Sequence, residues 1–171
     1  MRIASVLATA LLATGCSTLG GGAGGTTVAL EARSGSTVTG TITLADTRQG
    51  LRLRGEIRGL APGSEHGFHI HDKGDCSAPD GSSAGGHFNP GAAPHGRYGS
   101  GAHHAGDMPN VTADARGVVR VDQVVAGVTL APGAASASGR ALVVHRDADD
   151  YTSQPAGNAG PRVACGVIPA H

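Results

Sequence analysis

From Thr26 onward, apolar and polar residues alternate in short runs divided by glycine- and proline-rich turns. A period of two sends successive side chains to opposite faces of a strand. TTVALEA (26–32) reads as a first strand and TVTGTITL (37–44) as a second, with Gly40 marking a bulge or a close approach of backbones. LRLRGEIR (51–58) has two clean faces, Leu51, Leu53 and Gly55 against Arg52, Arg54 and Glu56. Further strands are predicted from about Glu65, over 110–114, 117–125, 140–145 and 163–168. About eight strands at regular spacing predict an all-β sandwich or barrel.

Two stretches break the alternation. Lys73 to Pro109 has little periodicity, and a second loop runs from Arg146 to Arg162. Loops as long as the first are uncommon in compact domains and are usually functional or disordered. This one holds Cys76, His87, His95, His103, His104 and Asp107, so cross-linking by a metal and a disulfide is the natural way to fix it.

The strand entering that loop carries the chemistry. In GFHIHDKGDC (67–76), His69 and His71 fall on one strand face, roughly 6.5–7 Å apart, with Phe68 and Ile70 facing a core. Imidazole pairs on one face suit copper or zinc, although the pair alone is equally consistent with a half-exposed strand. Composition sharpens the picture. The chain has 171 residues, enough for one domain with a core, and nine histidines, seven of them between His66 and His104. With 13 basic and 13 acidic residues there is no basic patch of the kind a nucleic-acid binder needs.

Residues 1–15 read as a targeting segment: Arg2, then an apolar run from Ile3 to Ala13 that is too short to span a bilayer. LLATGC (11–16) resembles a bacterial lipoprotein signal, which makes Cys16 the lipidated first mature residue and residues 16–25 a Gly-rich tether to the domain at 26–171. Leu12 lies one place earlier than is usual for such signals, Ala13 standing where leucine is expected. The expected location is the bacterial cell envelope, anchored to a membrane and facing the periplasm or the outside. With Cys16 lipidated, Cys76 and Cys165 remain, and in an oxidising compartment they are expected to pair across 88 intervening residues.

Five segments in order carry a family resemblance: GFHIHDKGDCS (67–77), GGHFNP (85–90), HHAGDMPNVTAD (103–114), GRALVVHRDADD (139–150) and GNAGPRVACGVI (157–168). Together they resemble the bacterial copper–zinc superoxide dismutases. The resemblance implies an eight-stranded, immunoglobulin-like Greek-key barrel with two long functional loops. It implies copper held by His69, His71, His87 and His145, and zinc held by His87, His95, His104 and Asp107, His87 bridging the two. It further implies Asp149 as an acceptor for the outer ring nitrogens of His69 and His95, and Arg162 as the guanidinium beside the copper. The implied reaction is superoxide disproportionation, with His87 leaving copper and taking a proton on reduction, then returning it. His66 and His171 match no role, and His103 is the alternative to His104. Lys73 is the only lysine, so steering of the anion falls to arginines and the metals. The resemblance leaves the assembly open, a homodimer included. The alternative reading is a non-catalytic copper- and zinc-binding module of the same fold, which the complete set of site residues disfavours.

Overall fold

The computed structural model describes residues 25–170. The targeting segment, Cys16, nearly all of the tether and His171 lie outside the described residues. Nine strands run in order: β1 (Thr26–Ala32), β2 (Thr39–Thr47), β3 (Gly50–Arg58), β4 (Glu65–His66), β5 (Phe68–His71), β6 (Val111–Thr112), β7 (Val118–Val125), β8 (Ala141–His145) and β9 (Arg162–Val167). Seven form one curled antiparallel sheet in the order β5-β8-β9-β1-β2-β3-β7, and β4 pairs with β6. β4 is continuous with β5 around Gly67, and β6 leads into β7, so the short pair ties the two edges of the large sheet together. β1 serves both halves: Thr26–Leu30 pair with β2, and Glu31–Ala32 with β9.

The expected all-β barrel is therefore present, with differences at strand ends. The strand expected over 110–114 is only Val111–Thr112, because Asp114 is drawn into a turn by its bonds with Val118. Gly40 is a close approach rather than a bulge: a Cβ there would lie 2.7 Å from the Glu56 carbonyl, and the β2–β3 register runs unbroken. The interior is filled by alternate residues such as Leu30, Ile42, Leu53, Ile57, Phe68, Ile70, Leu142 and Val144. Burying each large apolar side chain contributes about 1.5–3 kcal/mol.

All four residues of β5 are buried. Phe68 and Ile70 point into the barrel, and His69 and His71 lie beneath the long loops. A second small apolar cluster, Cys76, Ala84, Ala141, Val143 and Cys165, forms outside the barrel around the Cys76–Cys165 disulfide. That bond ties the start of the first long loop to β9.

Candidate metal centre

The first long loop does not wander. It returns alongside β5 and bonds to it: Asp72 N–H to Gly86 O (2.8 Å), Lys73 N–H to Ala84 O (3.0 Å), Phe88 N–H to Ile70 O (2.8 Å) and Ile70 N–H to Gly106 O (3.0 Å). This zipper sets His87 opposite His71. Gly106 permits the approach, since a Cβ there would sit 2.2 Å from the Ile70 carbonyl. His145 comes from the end of β8, where the β8–β9 register slips by one residue and pairs it with Arg162.

Two quartets result, each with its ligand atoms within 4.8 Å of one another: His69, His71, His87 and His145, and His87, His95, His104 and Asp107. His87 belongs to both. The rings of His69 and His71 lie 6.3 Å apart, matching the two-residue strand repeat. His66 is outside both quartets. It is buried, with Nδ1 2.9 Å from the His145 carbonyl and Nε2 2.6 Å from Ser64 Oγ. His103 is also outside, bonded through Nδ1 to the His104 carbonyl at 2.7 Å.

The outer hydrogen bonds fix the tautomers. A neutral imidazole has one N–H, and the partner of one nitrogen decides the state of the other. His71 Nδ1 donates to Gly85 O (2.9 Å) and His145 Nδ1 to Gly160 O (3.2 Å), so both Nε2 atoms carry lone pairs. Those two lone pairs face each other at 3.2 Å, which is no bond between them but a place for a cation. His69 Nε2 donates to Asp149 Oδ2 (2.9 Å), leaving Nδ1 buried and without a partner. His87 Nε2 is likewise buried and unpartnered. A buried lone pair without a partner costs about 1–3 kcal/mol, and four converging ones describe a metal position.

The second quartet is built on Asp107. Its Oδ2 accepts the backbone N–H groups of His104 (2.8 Å) and Gly96 (3.1 Å). Its Oδ1 is left facing the Nδ1 atoms of His87, His95 and His104 at 2.7, 3.1 and 3.3 Å. His95 gives its proton on Nε2 to Asp149 Oδ1 at 3.0 Å, so its Nδ1 meets Asp107 as a lone pair. His104 Nδ1 is close to the carboxylate yet makes no hydrogen bond. Three imidazole nitrogens and one carboxylate oxygen suit tetrahedral zinc, and four imidazoles suit copper. Ligands about 2.1 Å from an ion stand no more than about 4.2 Å apart, so each quartet closes on an ion with small shifts.

Electrostatics favour the neutral form of several of these imidazoles, His69, His71, His104 and His145. Burial pushes His69 and His71 well below their ordinary value, with neighbouring histidines adding to the effect. Burial likewise holds His145 down to about 4, against a raising contribution from its bond to Gly160. For Asp107 burial acts upward, but hydrogen bonds from His87, His104 and Gly96 outweigh it and hold the carboxyl well below the usual range.

Asp149, fully enclosed, joins the quartets through its two oxygens. Three residues missed in the sequence hold this bridge. Asn110 clamps the backbone of Asp149 from both sides, at 2.9 and 3.0 Å. Gln154 does the same for His95, accepting its N–H and donating to its carbonyl, both at 2.9 Å. Gly157 leaves room for the carboxylate, since a Cβ there would be 1.8 Å from Asp149 Oδ1. The Arg162 guanidinium donates to Gly81 O at 2.6 Å and to Gly85 O. Gly85 O thus receives both Arg162 and His71.

A curled β-barrel with two buried metal quartets sharing one imidazole, beside a tethered arginine, defines a binuclear redox-metal protein. The copper/zinc superoxide dismutase (SODC) family model matches residues 38–168. The chain belongs to that family, a class of oxidoreductases whose cofactors are copper and zinc. Superoxide dismutase [Cu-Zn] 2 of Aquifex aeolicus is 46% identical over 77% of this chain and 79% of its own length. The superoxide dismutase [Cu-Zn] of Caulobacter vibrioides is 41% identical over 75% and 77%. Among solved structures, a SOD-like protein from Bacillus subtilis superposes with a TM-score of 0.77 at 38% identity, covering 84% of this chain and 98% of that one.

Proposed function

We propose that the chain converts two superoxide anions and two protons into dioxygen and hydrogen peroxide. His69, His71, His87 and His145 would hold copper, and His87, His95, His104 and Asp107 would hold zinc. One observation carries the assignment: His87 presents Nδ1 to Asp107 in one quartet and a buried, unpartnered Nε2 to the other. Copper held there would supply one-electron redox chemistry, and zinc would supply fixed positive charge. The protein's part is positional. His87 Nε2 is the atom that holds and hands on a proton, with Nδ1 kept on the zinc side. Asp149 locks the tautomers of His69 and His95 so that their inner nitrogens stay unprotonated. Arg162, pinned by two carbonyls, offers a fixed cation to a small anion in the cavity beside His145.

A SOD-like relative shares the fold, so fold alone does not separate an enzyme from a non-catalytic metal-binding module. The complete quartets with Asp149 and Arg162 favour the enzyme. Metal analysis of the purified domain, paired with a superoxide assay, tests this. The expected result is one copper and one zinc, with activity lost when copper is removed. Stoichiometric metal without activity would leave the binding module. Arg162→Ala should keep copper affinity and slow turnover about tenfold at low ionic strength. Unchanged turnover at full copper loading would remove Arg162 from the reaction.

The sequence also supports lipid attachment at Cys16 and residence in the bacterial envelope. The Cys76–Cys165 disulfide agrees with an oxidising compartment. Mass spectrometry of the mature N-terminal peptide decides whether Cys16 carries acyl chains.

A further inference from the structure

Three ties converge on Tyr151, two residues beyond the carboxylate that joins the quartets. Its backbone N–H donates to Asp149 Oδ1 at 2.6 Å. Its hydroxyl accepts the backbone N–H of Asn110 at 2.8 Å, and the Asn110 side chain in turn brackets the Asp149 backbone. Its ring lies under the Arg97 guanidinium, 3.9 Å from the centroid, where the ring face attracts a cation. Arg97 stands two residues after His95 on the first long loop. The backbone of Tyr151 is left-handed, with φ 62°, a conformation that residues with a Cβ disfavour. Something must hold it there, and the hydroxyl and the ring are the parts that have partners.

On the metal assignment above, we propose that Tyr151 is a positioning residue for the second quartet: its hydroxyl and ring hold the left-handed turn that aims its N–H at Asp149 Oδ1, and so keep that oxygen on the Nε2–H of His95. Oδ1 takes both this N–H and that of His95 (3.0 Å), whereas Oδ2 takes that of His69 (2.9 Å). The two histidines differ in what else fixes them. His69 belongs to β5 and is paired with Val143 of β8, so the sheet sets where its ring stands. His95 lies in the loop between β5 and β6, and side-chain bonds from Gln154 and Asp149 hold it across the two long loops. Loosening Asp149 therefore costs the loop-borne ligand, and with it zinc, more than the strand-borne ligand and copper.

The test uses Tyr151→Phe, which removes only the hydroxyl, and Tyr151→Leu, which also removes the ring beneath Arg97. Each metal is titrated by chelator competition in protein loaded with the other. Expected for Tyr151→Phe is zinc held about three- to tenfold more weakly, the worth of one hydrogen bond, with copper affinity within about twofold of the wild type. Tyr151→Leu should lose at least as much zinc affinity. Cobalt placed in the zinc site should show an altered visible absorption spectrum in both variants. Tyr98→Phe is the control for general loosening of the loop. Tyr98 is three residues after His95, but its hydroxyl bonds to the Val124 carbonyl (2.9 Å) and the Ala126 N–H (2.8 Å), away from Asp149. That variant should lower the melting temperature yet keep zinc affinity and the cobalt spectrum. Zinc affinity within about twofold of the wild type in both Tyr151 variants overturns the proposal. So does copper affinity that falls as far as zinc affinity, or an equal loss of zinc in Tyr98→Phe. A wild type that takes up no zinc at this quartet fails the metal assignment itself, and the role of Tyr151 falls with it.

Discussion

Reducing the Cys76–Cys165 bond is the most direct probe of how the first long loop is held. The bond closes a sequence separation of 89 residues. In the chain-entropy model a loop of that size stabilises the folded state by about 4–5 kcal/mol, and native bonds commonly deliver about 2–4. The bond sits in an apolar pocket with Ala84, Ala141 and Val143, and thiols are only weakly polar, so a polar burial cost on reduction adds little. Each kcal/mol shifts the melting temperature of a domain this size by about 2–4 °C, so about 2–4 kcal/mol gives an expected fall of about 4–16 °C. The assay is calorimetry of the metal-free protein with and without a phosphine reductant, so that copper chemistry plays no part. The Cys76→Ala/Cys165→Ala variant is the control and should not respond to reductant. A fall under about 3 °C on full reduction would refute the reasoning, because the zipper along β5 and the Arg33 bond to Cys76 O (2.8 Å) would then hold the loop unaided.

Two further outcomes follow from the site. Asp149→Asn places an amide N–H against the N–H of His69 or of His95, so at least one metal should bind about 10–100-fold more weakly in chelator competition; unchanged loading of both would show that the tautomers are set elsewhere. In the metal-free protein, stability should fall on acidification. His145 titrates near 6.5 when unfolded and about 4 when folded, so the unfolded chain takes the proton first as pH drops through this window, at a cost of up to about 3 kcal/mol. His69 and His71 shift in the same direction. Urea unfolding at pH 7.5 and pH 5 measures this, and greater stability at pH 5 would contradict it.

Much of the frame is legible in the sequence because burial follows local alternation. Leu51 and Leu53 face the core as their spacing demands, and so do Phe68 and Ile70. The metal residues were placed by resemblance, and only the pair His69 and His71 stood out by its own spacing. Asn110, Gln154 and Gly157 were missed for a physical reason. Their partners lie 39, 59 and eight residues away, and side-chain bonds to a distant backbone leave no periodic trace. Arg162 was read as the end of a loop, whereas it opens β9 across from His145, a pairing that only the sheet register reveals.

The carbonyl of Gly85 has two lone pairs, and both are in use, one by His71 and one by Arg162. A histidine of the proposed copper quartet and the arginine proposed to meet the anion thus share one ruler. Surface loops usually absorb insertions cheaply. Here the segment from Gly81 to Gly85 cannot lengthen without moving the His71 ring and the Arg162 guanidinium together, so a single insertion there would disturb two groups at once.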